Sequence, residues 1–204
     1  MNTGSVQTQD GVFKRTLWLY GLFMLLSNAA YLFGYYLLPE GFLRGSPVMW
    51  TAQVASTGTF ASQLAKIFLI NLALVILLSA WLNIFQVKGF PLGYLWPIFL
   101  GVQSGLVPGT NSFFQSDLKQ FNVWDGMAYS LSIGGLEFLG YILIIASTVS
   151  LVVYQFSSWL QMRPTKLKNL RDVRLSRAEV LCLIGGIVLL LIAAYRETVL
   201  ATNL

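Results

Sequence analysis

From Thr16 to Leu38 the chain runs for 23 residues without a charged side chain, and apolar stretches of similar length recur up to the C-terminus. A helix needs about 20 predominantly apolar residues to cross the hydrocarbon of a bilayer, so each stretch is long enough to span. With 56% hydrophobic and 10% charged residues, the chain carries more apolar surface than a soluble core of 204 residues can absorb. The sequence therefore predicts an all-α fold: a polytopic helical membrane protein of about five transmembrane helices in one bundle. The expected spans are 16–38, 63–85, 89–107, 130–154 and 178–198. Residues 1–12 are polar and read as a mobile tail, and residues 13–204 as a single transmembrane domain. A cleaved signal peptide is the competing reading of the first run. Its apolar region would be about 7–15 residues and end at small residues, whereas this run is longer and ends in Tyr and Phe.

The punctuation between runs fits this division. Pro39 to Gly45 ends the first span, and Ser46-Pro47 starts a short helix to about Ala55, either lying in the interface through Met49, Trp50 and Val54 or forming an ordinary covered loop. Gly89, Gly93, Gly101, Gly105 and Gly109 fall in one register of four, with Pro97 in the remaining place. Residues four apart share a helix face, and small residues there let another backbone approach closely. The third span is thus expected to dock through Gly89, Gly93, Gly101 and Gly105, with a kink at Pro97. Residues 108–125 interleave Phe113, Phe114, Phe121 and Trp124 with polar side chains and read as an interfacial connection.

The charges give an orientation. Arg163, Lys166, Lys168, Arg171, Arg174 and Arg177 crowd the connection before the last span, opposed only by Asp172. Together with Lys14, Arg15 and Lys88 they put nine of the 13 basic residues on one side, leaving Arg44, Lys66, Lys119 and Arg196 at or near the other. By the positive-inside rule that side is cytoplasmic, so the N-terminus lies inside and, with five spans, the C-terminus outside. The basic loop is expected to meet anionic lipid headgroups, and the net charge of +5 reflects that partner rather than nucleic acid. There is no His, the lone Cys182 forms no internal disulfide, and no catalytic motif is present, so the sequence predicts no metal, no cofactor and no enzyme.

One acid lies inside an apolar run. Glu137 follows Gly134-Gly135 in the fourth span, which starts either near Gly126 as a continuous helix or at the glycine pair, where another backbone approaches or the helix breaks. An intramembrane carboxylate is expected to face the bundle, held by a cation or an amide or else protonated. Lys66, Arg196 and Asn71 are the candidate partners. Lys66 has a second reading, in which its ammonium reaches back to the headgroups.

Phe68 to Gly93 (FLINLALVILLSAWLNIFQVKGFPLG) resembles the Asn-containing helix and following glycine junction of the stage II sporulation protein M family. Gly134 to Val152 (GGLEFLGYILIIASTVSLV) resembles the helix of that family with an HG-x-x-E-like motif. The similarity covers about residues 68–154. Ile133 stands where the family pattern has His, and Lys88 where it has Asn before the junction glycine. Gly134, Glu137, Asn71, Gly89 and Gly93 are the matching positions. The resemblance implies an all-helical integral membrane protein of the bacterial cell envelope with membrane or peptidoglycan-remodelling partners. The expected function is a complex-forming scaffold in the cytoplasmic (inner) membrane, acting with a partner or as a homo-oligomer. The alternative is a transporter or channel subunit using Glu137 as an ion or proton site.

Overall fold

The computed structural model describes residues 10–55, 57–112, 122–160 and 163–202. Among them are six α-helices and four short strands: α1 (Asp10–Leu37), α2 (Pro47–Ala55), α3 (Phe60–Leu74), β1 (Phe85–Val87), β2 (Phe90–Pro91), α4 (Leu95–Gly109), α5 (Val123–Ser147), β3 (Tyr154–Phe156), β4 (Thr165–Lys166) and α6 (Arg177–Thr202). A wide helical turn, Val75–Ala80, prolongs α3. Four segments, Gly11–Leu37, Phe60–Ala80, Gly134–Leu151 and Arg177–Leu200, are long and apolar enough to cross a membrane. This is the class of the helical membrane proteins.

Two helix pairs build the interior. The first pairs α1 with α4, running parallel, and the second pairs α5 with α6, running antiparallel; α1 also packs on α5, and α3 on α6. Leu19, Phe23, Tyr141, Ile142, Ile145 and Leu190 make the centre of the core. Outward faces keep large apolar side chains such as Leu181, Ile184 and Tyr195 on α6 and Leu69 on α3 exposed, as a lipid solvent requires. Thr59 caps α3 by accepting from the Ser62 N–H, and Asn122 caps α5 by accepting from the Trp124 and Asp125 N–H groups.

The expected spans shift in four places. Helix α1 begins at Asp10, and Val12 is buried in the core, so the tail is shorter than the polar composition suggested; residues 1–9 lie outside the described residues. The helical run from α3 ends at Leu82, not 85, because the chain turns into β1. The 89–107 segment is not one helix. Lys88 and Gly89, at φ 49° and 85°, form the two-residue turn of the β1–β2 hairpin, a conformation in which glycine carries no Cβ penalty. Pro91 occupies the edge strand of that hairpin, a tight turn Leu92–Tyr94 follows, and α4 starts at Leu95. Pro97 therefore sits in the first turn, where its missing N–H takes no hydrogen bond from the helix and gives no cause for a kink. The fourth helix is continuous through Gly134-Gly135 but ends at Ser147, and Tyr154 belongs to β3.

The strands join one sheet in the order β2-β1-β3-β4. Strands β1 and β3 pair in parallel, Phe85 opposite Tyr154 and Val87 opposite Phe156, after a crossover through α4 and α5. Gln86 Nε2 donates to Gln155 Oε1 at 2.7 Å, and the Phe85 and Tyr154 rings stack 5.6 Å apart. The sheet fastens the end of the α3 segment to the end of α5. At the opposite end of the helices, the Gly41 N–H donates to the Thr110 carbonyl at 2.7 Å and ties the loop after α1 to the end of α4.

Candidate functional site

The sheet end gathers the basic residues. Lys14 and Arg15 open α1, Lys88 lies in the hairpin, and 163–177 enters α6 beside β4; contacts between Arg15, Ser150 and Glu179 show that these segments share one end. Arg163, Lys166, Arg171, Arg174 and Arg177 are exposed, and Lys168 Nζ donates to the Ser150 carbonyl at 2.8 Å. Trp159, Leu160, Leu167 and Leu170 stand exposed among them.

Beneath this surface are two polar nodes that sequence reasoning passed over. Glu179 is 5% exposed and accepts from Arg15 Nη2 at 2.9 Å, from the Ser150 hydroxyl and from the Ser176 N–H at 2.9 Å, while its own N–H donates to Ser176 Oγ at 3.2 Å. The last two bonds form a capping box, and S-x-x-E at 176–179 was the spacing that announces it. Asn83 is fully buried, and its amide donates to the Ile145 carbonyl and to Thr148 Oγ1, both at 2.9 Å. A Cβ on Gly93 would lie 2.2 Å from Asn83 Oδ1, so this glycine makes the space for the amide rather than serving a helix face. Replacing Asn83 by alanine removes the donor to Thr148 Oγ1 and one of the donors to the Ile145 carbonyl, which keeps the Thr148 hydroxyl and N–H. The expected loss is about 1–3 kcal/mol, read as a lower thermal midpoint in detergent.

Glu137 lies on α5 about 21 Å from its start at 1.5 Å per residue. Its carboxyl accepts a 2.6 Å hydrogen bond from Tyr141 Oη, one turn further along the same helix. Glu197 of α6 is near enough for its charge to act on both groups. None of the expected partners bonds Glu137. Lys66 Nζ instead donates to the carbonyl of Thr57 at 2.9 Å and to its hydroxyl at 3.2 Å, in the loop before α3. Arg196 is exposed on α6, and Asn71 is half-buried on α3. A carboxyl bonded to a phenol can hold a proton in apolar surroundings without a cation. Among the described residues no three His, Cys, Asp or Glu side chains converge as metal ligands.

The glycines divide by contact. Built Cβ atoms on Gly101 and Gly105 would meet α1, the first at 3.1 Å from Leu26 Cβ and the second at 2.1 Å from the Ser27 carbonyl oxygen. Gly89 faces open space, Gly134 abuts the Phe138 ring of its own helix, and Gly135 is near only the Tyr20 hydroxyl. The α5–α6 crossing uses Gly140 and Gly186, each within 3.0 Å of the other's carbonyl oxygen when a Cβ is built. Gly140 stood in no register of four with Gly134 or Gly135, which is why the sequence did not single it out. The aromatic connection at 113–121 lies outside the described residues. No protein-family model, curated protein or solved structure is matched by this chain.

Proposed function

We propose that this chain is a complex-forming subunit: an integral membrane scaffold that binds partner membrane or cell-envelope proteins, as the resemblance to the stage II sporulation protein M family suggests. In this reading one bundle of five membrane segments sits in the cytoplasmic membrane with the N-terminus inside and the C-terminus outside. Helix α4 is the fifth segment. Its 15 residues reach about 23 Å, short of the hydrocarbon thickness, so it depends on α1 and on the hairpin beneath it to complete the crossing. The basic end faces the anionic inner leaflet.

The observation that carries the reading is the construction of that end. Three segments distant in sequence are locked by a four-stranded sheet and by the Arg15–Glu179 bridge into a fixed surface. That surface displays exposed basic residues together with Trp159, Leu160, Leu167 and Leu170. Such a face suits docking to lipid and protein.

Purification from native membranes is expected to bring down a stoichiometric membrane-protein partner or a homo-oligomer, and proteoliposomes are expected to carry no flux. The hydrogen-bonded Glu137–Tyr141 pair within an apolar helix favours the second reading, a proton- or cation-coupled transporter. A flux abolished by Glu137→Gln in a protein that still folds would decide for it. For the orientation, Ser176→Cys is expected to resist a membrane-impermeant maleimide in intact cells and to react after permeabilisation. Labelling in intact cells would reverse the topology.

A further inference from the structure

A cavity of about 450 Å³ opens at the basic end, lined in part by Tyr154, Lys166, Asn169, Leu170, Arg171 and Asp172. Its walls are pinned. Lys166 lies in β4 opposite Tyr154, the Leu167 N–H donates to the Val153 carbonyl at 2.7 Å, and Lys168 is held by the Ser150 carbonyl. Asp172 accepts from the Asn169 amide at 3.2 Å, so this acid already has a local donor. The two cations of the lining thus exceed its one acid by a single charge.

That balance suits a monoanionic phosphodiester better than a dianionic phosphate. The side chains around the mouth add a second indication. Leu170 of the lining is 65% exposed, and Leu167, next to Lys166, also stands out from the protein. Bare apolar residues beside cations are a liability in water and an asset at the headgroup boundary, where the stems sink and the charges meet phosphate. We propose that this cavity binds the phosphodiester of an anionic phospholipid from the surrounding leaflet, with Lys166 and Arg171 contacting the phosphate and Leu170 and Tyr154 flanking the glycerol and acyl root. The assignment rests on the reading that the basic end lies at the inner leaflet.

The test uses the full chain in nanodiscs of phosphatidylcholine doped with phosphatidylglycerol, with retained lipid read by native mass spectrometry. The wild type is expected to retain phosphatidylglycerol in preference to phosphatidylcholine. Lys166→Ala with Arg171→Ala should weaken retention about 30-fold, whereas Arg174→Ala with Arg177→Ala, removing equal charge from the same connection outside the cavity, should change it only a few-fold. Equal losses in the two pairs, or no preference in the wild type, would overturn the site. Competition by soluble glycerol phosphate as tight as the lipid would overturn the lipid assignment and give the cavity to a soluble phosphate ester. Failure of the orientation is read separately, by maleimide labelling of Ser176→Cys.

Discussion

Replacing Gly105 by alanine is expected to lower the thermal midpoint of the protein in detergent sharply, with a cost of about 1–3 kcal/mol or more. The added methyl would lie 2.1 Å from the Ser27 carbonyl oxygen, 2.7 Å from the Tyr31 nitrogen and 2.9 Å from Ala30 Cβ. Two of these are backbone atoms, which cannot rotate aside, so α1 and α4 must move apart. The separation would disturb much of the most extensive helix contact among the described residues, because Gly109 meets the Tyr31 backbone one turn further on and Gly34 faces Gly109 across the seam. Other glycines set the scale. At Gly101 the nearest atoms are 3.1–3.2 Å away, so alanine there should cost distinctly less. Gly185 on α6 is half-buried, but a Cβ built there meets nothing within 4 Å, and Gly185→Ala should stabilise by about 0.5–1 kcal/mol through helix propensity alone. A series in which Gly105→Ala behaved like Gly185→Ala would show that the α1–α4 seam is not a tight contact.

The same seam shows how far the residues announce the fold. Spacing by four is a physical statement about one helix face, and Gly101, Gly105 and Gly109 do lie along α1. The register ran on through Gly93 and Gly89 by coincidence of position, and it concealed a turn. Lys88-Gly89 between Phe-Gln-Val and Phe-Pro is a hairpin signal, but strands of two or three residues are too short to compete by periodicity with a glycine row. The sheet was invisible for a further reason. Its central pairing joins residues 85–87 to 154–156, a non-local contact that no local pattern encodes.

Charge hides the partner of Glu137 in a comparable way. An acid in hydrocarbon suggests a cation, and Lys66 and Arg196 are at the matching end of their helices, yet Tyr141 at the i+4 position was the nearer donor. A phenol satisfies the carboxyl without bringing a second charge out of water, and the geometry of one helix already places it. Conversely, Glu179 is inconspicuous in the sequence, because a single acid at the edge of an apolar run looks like ordinary helix-start chemistry. Its long-range partners, Arg15 and Ser150, come from segments 164 and 29 residues away and become apparent only once α1, α5 and α6 meet.

Glu179→Ala should therefore be among the most damaging single changes at the basic end. It leaves the Arg15 guanidinium, with a side chain 17% exposed, without its counter-charge, and it removes acceptors from the Ser150 hydroxyl and the Ser176 N–H. Breaking a buried pair from one side commonly costs about 3–5 kcal/mol, and headgroup water within reach of Arg15 places this case toward the lower figure. Only half of the capping box is lost, since the N–H of residue 179 keeps Ser176 Oγ while the Ser176 N–H is left without its acceptor at the start of an apolar span. Glu179→Gln separates the contributions. It keeps one acceptor oxygen, either for the Ser176 N–H or for Ser150 and Arg15, and loses the charge, so its thermal midpoint should fall between those of the wild type and Glu179→Ala. Replacing Arg15 and Glu179 together by leucine should cost less than the sum of the two single replacements, because neither charge is then stranded. The basic surface should loosen with the bridge: Ser176→Cys in the Glu179→Ala background is expected to react faster with maleimide in permeabilised cells than in the wild-type background. An unchanged midpoint and an unchanged labelling rate would mean that the sheet alone fixes this end, and that Arg15 finds lipid phosphate as readily as it finds Glu179.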